Sequence, residues 1–174
     1  MDDIYHGDID LSLIRDECLF EIFENTADTY PSRPSVIFRD KEYSYEEIDS
    51  NANRLARFLR QRGIQNGDRV GLILEKSAEL YISMLGIMKS GAAYVPIDPG
   101  YPKDRVKYIL ENSEASLTVT SSSIAGSFGL YDNTLLLDRE RDIISKFSGK
   151  RLERTETGVT PDDLCYIIYT SGST

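Results

Sequence analysis

The stretch Arg69-Val70-Gly71-Leu72-Ile73-Leu74 decides the fold. From Val70 onward every residue is apolar or glycine, so an extended segment here must be covered on both faces. That is the mark of an internal strand in a parallel sheet. The period then changes. Ala78 to Lys89 is apolar over much of its circumference, through Leu80, Ile82, Met84, Leu85, Ile87 and Met88, and predicts a helix. Tyr94-Val95-Pro96-Ile97 returns to a short strand. Strand, helix and strand within about thirty residues make one βαβ unit.

The alternation extends in both directions. Upstream, Leu19, Ile22, Phe23 and Ala27 follow helical spacing, Phe20 widens the stripe, and Tyr30-Pro31 ends it. Ser35 to Phe38 and Glu42 to Tyr45 read as a hairpin around Arg39-Asp40-Lys41. Ser44 is positioned as an N-cap with Glu47 completing a capping box, and Tyr43 packs on Ile48 as a staple. Ile48, Ala52, Leu55 and Leu59 hold the inner face of that helix, with Glu46, Asp49, Arg57 and Arg60 off it. Gly63 follows as a left-handed cap. Downstream, Pro102 suits the first helical position, and Val106, Ile109 and Leu110 face inward. Leu117 to Thr120, Leu135 to Leu137 and Leu164 to Tyr169 supply three further strands. Ser121 through Gly129 reads as a loop or a weak helix, and Lys150 to Asp163 as a charged approach to the last strand. The expected class is α/β, a largely parallel sheet with flanking helices.

The 174 residues fit one domain, and 40% hydrophobic with 28% charged residues fits a globular one. Residues 1–16 read as a flexible leader. A formal charge of −9 argues against nucleic acid and anionic membrane as partners, since both select basic surfaces. Cys18 and Cys165 belong to no metal-ligand or disulfide pattern, and Cys165 reads as a buried structural thiol. His6, the single histidine, reads as a leader residue. No apolar run approaches the ~20 residues of a membrane span, and the acidic start lacks the blocks of a secretory signal, so the expected compartment is the cytoplasm.

The chemistry sits in Tyr169-Thr170-Ser171-Gly172-Ser173-Thr174, which follows the apolar run Leu164-Cys165-Tyr166-Ile167-Ile168, read as a buried strand. Short hydroxyls donate hydrogen bonds, and glycine lets exposed backbone N–H groups close on phosphate oxygens. A Walker loop is excluded because no G-x-x-x-x-G-K-[ST] spacing occurs. A serine hydrolase elbow is excluded because Gly172-Ser173-Thr174 does not fit it and His6 is a poor base.

Three segments together resemble the adenylation domains of non-ribosomal peptide synthetases, within the acyl-adenylate-forming, AMP-binding superfamily. They are Tyr43-Ser44-Tyr45-Glu46-Glu47-Ile48, the long run from Met88 through Gly91-Ala92-Ala93-Tyr94-Val95-Pro96-Ile97-Asp98 to Arg105, and Leu164 to Thr174. Ser90 stands where alanine is usual. The resemblance implies the first part of the large N-terminal subdomain of an adenylate-forming enzyme, residues 17–174 being a partial domain cut within the phosphate-binding loop. It implies that Thr170, Ser171, Gly172, Ser173 and Thr174 cradle the phosphates of ATP, with magnesium, and that a carrier-protein phosphopantetheine thiol accepts the acyl group. The implied partners are an amino-acid substrate, a carrier-protein domain and the rest of the adenylation domain. The catalytic lysines of the family fall beyond Thr174, so no residue here is assigned a catalytic role, and the isolated chain is expected to be inactive or nearly so. A D-alanine–carrier-protein ligase, an acyl-CoA ligase and a non-catalytic split subunit or remnant are the alternatives.

Overall fold

The computed structural model describes residues 16–130 and 132–170, so the leader residues 1–15, His6 among them, and the loop residues 171–174 lie outside it. In chain order the elements are α1 (Leu19–Thr29), β1 (Pro34–Phe38), β2 (Lys41–Ser44), α2 (Tyr45–Gln61), β3 (Arg69–Ile73), α3 (Ala78–Lys89) and β4 (Ala93–Pro96). Then follow α4 (Lys103–Asn112), β5 (Leu117–Thr120), α5 (Ser122–Phe128), β6 (Thr134–Leu136), α6 (Leu137–Ile144) and α7 (Arg154–Thr157).

β1 and β2 form the expected antiparallel hairpin, and the other strands form one sheet in the order β4-β3-β5-β6, parallel throughout. β3 is interior, as its two-faced apolar run requires. Val70 pairs with both Tyr94 and Leu117, and Val119 pairs with Leu135. One face of the sheet, with Val70, Leu72, Tyr94, Leu117, Val119 and Leu135, joins Leu55, Leu59 and Ile87 of α2 and α3 in the main core. The opposite face puts Ile73, Val95 and Ile97 against Val106 and Ile109 of α4.

Local signals account for the element ends. Ser44 Oγ accepts from the Glu47 N–H at 3.2 Å while the Glu47 carboxylate accepts from the Ser44 N–H at 2.8 Å, the reciprocal capping box. Gly63 takes φ +94° after α2, the left-handed cap that glycine adopts without steric cost. The segment 121–129, left between loop and helix, is the helix α5, with Ser121 capping its start and Gly129 at φ +71° closing its end. Pro102 stands one position earlier than expected, as the N-cap of α4. Helix α6 has no counterpart in the sequence reading; none of its residues is fully buried, and Leu137 and Ile144 pack partly buried against the main core.

Two features override the pattern. Asp49 lies off the apolar stripe of α2 and was expected at the surface, and Lys89 ends α3, yet both are buried. The Lys89 ammonium contacts the Glu24 carboxylate and lies 2.7 Å from Asp49 Oδ1. Arg151 completes the cluster, with Nε 3.0 Å from Asp49 Oδ2 and Nη1 2.8 Å from Asp28. Burial pushes the Glu24 carboxyl up, against the pull of Lys89 and Arg151. This cluster joins α1, α2, α3 and the segment before α7, so the start of the charged approach at 150–163 is folded onto the domain. Arg154 adds a second tie to Glu21 at 2.8 Å, which holds that carboxyl below its usual range.

Lys89→Met would leave the partly buried Glu24 and the buried Asp49 against each other with only Arg151 opposing them both. Losing one partner of a buried ion cluster costs about 3–5 kcal/mol, so the urea midpoint should fall steeply. A shift within error would mean the cluster contributes nothing. At the α2–α3 crossing, a Cβ on Gly86 would lie 3.1 Å from the Ala52 carbonyl oxygen and 3.1 Å from Leu55 Cβ. Gly86→Val should therefore destabilise by about 1–3 kcal/mol, read from the same denaturation curves.

Candidate phosphate-binding site

The segment leading into the Thr170–Thr174 run lies along the free edge of β4. Tyr94 N–H donates to the Cys165 carbonyl at 3.1 Å and Ile167 N–H donates to the Tyr94 carbonyl at 3.0 Å, a parallel bridge between Tyr94 and Tyr166. The chain therefore runs in the direction of the other parallel strands and delivers Thr170 at their carboxyl end, where α/β sheets bind ligands. Thr170 is exposed.

The strand expected over Leu164 to Tyr169 is reduced to this one bridge, and its expected burial is corrected. Its residues alternate. Cys165, Ile167 and Tyr169 are partly buried, whereas Leu164, Tyr166 and Ile168 are 61%, 44% and 59% exposed. The reason is position in the sheet: interior strands are covered on both faces, whereas this segment is the edge beyond β4, and the face with Leu164, Tyr166 and Ile168 is left open to solvent. Cys165 is accordingly a half-buried free thiol, and it lines with Cys18 a cavity of about 240 Å³.

Tyr169 is held by one face of α4. Its hydroxyl donates to Asn112 Oδ1 at 2.7 Å, its ring meets Tyr108 edge-on at 6.4 Å, and the Arg105 guanidinium lies 5.9 Å from its centroid. Sequence reading quoted Arg105 only as the tail of a motif and passed over Tyr108 and Asn112. Their spacing of three and four residues on one helix was the available signal.

The run from Met88 to Arg105 is the frame that joins these parts. Gly91 takes φ +93° just after α3, its carbonyl accepts from the Gly67 N–H at 3.0 Å, and a Cβ there would lie 3.2 Å from Asn66 Cα. β4 follows at once and carries Tyr94, whose phenol is pushed up by burial. Beyond β4, Asp98 Oδ1 accepts from the Gly100 N–H at 2.7 Å, a turn that feeds the chain into α4. Lys89 at the start of the run sits in the buried ion cluster. The run thus aligns β4, which bridges to Tyr166, and α4, which holds Tyr169. Among the described residues, no group of three or more His, Cys, Asp or Glu side chains offers a metal site, so no step is assigned to magnesium through them. Nor, among those residues, is any helix long and apolar enough to cross a membrane.

A four-stranded parallel sheet with helices on both faces, and Thr170 delivered at its carboxyl end, is the architecture of the N-terminal subdomain of adenylate-forming enzymes. The chain belongs to the AMP-binding enzyme family, whose match spans residues 23–174. It is 41% identical over 160 residues to surfactin synthase subunit 1 of Bacillus subtilis, covering 91% of this chain and 4% of that protein. With tyrocidine synthase 1 of Brevibacillus parabrevis the identity is 36% over 159 residues, or 90% of this chain and 14% of the relative. Among solved structures, the nonribosomal peptide synthetase FmoA3 superposes with a TM-score of 0.82 at 32% identity, over 91% of this chain and 16% of that one. The N-terminal subdomain of Klebsiella oxytoca NpsA gives 0.77 at 27% identity, over 92% and 40%. The chain thus spans a small part of the relatives it matches.

Gly91→Ala tests the frame. A side chain at φ +93°, pressed on Asn66, should cost about 1–2 kcal/mol. The check is a lowered urea midpoint with an unchanged denaturant slope; an unchanged midpoint would show that the turn tolerates a Cβ.

Proposed function

We propose that this chain is part of an enzyme that activates an amino acid with ATP. A carboxylate oxygen of the substrate attacks the α-phosphorus, pyrophosphate leaves, and an aminoacyl-adenylate forms. The acyl group then passes to the phosphopantetheine thiol of a carrier-protein domain. One observation carries the reading: the run Thr170-Ser171-Gly172-Ser173-Thr174 follows a segment that ends at the carboxyl edge of a parallel sheet. In that role the hydroxyls of Thr170, Ser171, Ser173 and Thr174 and the backbone at Gly172 would donate to phosphate oxygens. Catalysis of such a step is mainly positioning and charge stabilisation.

The relatives support the choice of substrates. FmoA3 has been solved in an AMPPNP-bound form and in a form bound to α-methyl-L-serine-AMP. Magnesium would accompany ATP, bound by groups outside the described residues. The catalytic lysines belong to the remaining part of the adenylation domain, so residues 17–174 act as a partial domain and the isolated chain is inactive. Free cysteines and an acidic surface suit the cytoplasm and a partner other than nucleic acid.

One observation favours a second reading, a non-catalytic subunit that binds a complementary polypeptide. The row Leu164, Tyr166 and Ile168 is apolar, exposed and beside a free sheet edge.

Amino-acid-dependent ATP–pyrophosphate exchange separates the two. It should be absent from the 174-residue chain and present when the chain is joined to the rest of an adenylation domain. Exchange by the chain alone would refute the partial-domain reading. No exchange from the joined protein, with every proteinogenic amino acid tried, would favour the non-catalytic one.

A further inference from the structure

Helix α4 presents Arg105, Tyr108 and Asn112 along one face, and all three meet Tyr169, the residue immediately before the Thr170–Thr174 run. The Arg105 guanidinium lies 5.4 Å from the Tyr108 centroid and 5.9 Å from that of Tyr169. Both distances fall within the roughly 6 Å over which a ring quadrupole attracts a cation. The two rings stand at 83° to each other, so the guanidinium bridges them while the Tyr169 hydroxyl is anchored separately at Asn112. Three contacts of different chemistry restrain one side chain.

The platform beneath them is itself well fixed. Val106 and Ile109 are buried on the sheet, and α4 approaches β3 so closely that a Cβ on Gly71 would lie 2.5 Å from Leu110 Cδ2. Tyr169, by contrast, belongs to a segment joined to the sheet by a single bridge. A weakly paired edge needs another restraint if the hydroxyls after it are to hold one geometry around a polyanion.

We propose that Arg105 is a positioning residue for the phosphate-binding run, acting through Tyr169. It clamps Tyr169 against Tyr108 and so fixes where Thr170 begins. This rests on the reading of that run given under Proposed function, but the clamp itself does not. Nothing in the sequence motif distinguishes this role from a surface arginine on a helix, since only the fold brings residue 105 against residue 169.

The test has two arms. In the 174-residue chain, Arg105→Ala should move the Tyr169 ring and Thr170 amide resonances in NMR spectra and leave the urea midpoint nearly unchanged. In a Tyr169→Leu background the same substitution should leave the Thr170 amide where it is, because the ring it acts through has gone. In an adenylation domain carrying this chain, Arg105→Ala should raise the KM for ATP about fivefold, with the KM for the amino acid unaltered. Arg105→Lys, which keeps the cation near the rings, should recover part of that loss. Unmoved resonances at Tyr169 and Thr170 would overturn the clamp. So would an equal rise in both KM values with a lowered midpoint, which is what a merely structural role gives. If the unsubstituted joined protein shows no exchange, the adenylation reading fails, and the NMR arm alone decides the clamp.

Discussion

Strand β3 has no solvent face, and the rest of the domain is arranged around that constraint. Val70, Leu72 and Ile73 are at most 1% exposed. Covering both faces of an extended segment demands two layers of helix, α2 and α3 on one side and α4 on the other, with parallel neighbours at both edges. Gly71 permits the closer of these approaches by leaving room for Leu110. Once β3 is placed so, the crossover from α3 into β4 must turn sharply at Gly91, and the next crossover must bring α4 back across the opposite face.

The same geometry explains why the candidate site stands where it does. Parallel strands share one carboxyl end, so every loop leaving the sheet there converges on a common rim. The segment 164–170 joins the rim at the open edge of β4 and receives less packing than any interior strand. What it lacks in sheet pairing is made up by α4 through Tyr169. The site is therefore built from an edge and a helix far apart in sequence, joined by the Met88–Arg105 run that aligns both.

Charge is used in the same way. Helix α1 enters the main core through Phe20, with Phe23 packed against it, whereas the 150–157 segment is largely polar. Lys89, Asp49, Glu24 and Arg151 draw them onto α2 and α3. Breaking such a cluster is costly, because a remaining charge keeps little water and loses its partner.

Much of this was legible in the sequence. The two-faced apolar run of β3, the helical periods of α2 and α3, the capping box at Ser44 and the hairpin at Arg39 are local signals, and each formed as its residues dictate. The candidate phosphate-binding run is marked in the sequence by its hydroxyl and glycine content and by its place behind an apolar segment. Tertiary structure alone decided three matters. It made the last apolar run an exposed edge, because alternation cannot tell which strand of a sheet is outermost. It buried Asp49 and Lys89, because a charge enters a core only where partners from distant segments meet it. And it set Arg105 over Tyr169, because that contact depends on which face of the sheet α4 crosses, a property of the fold that no local window contains.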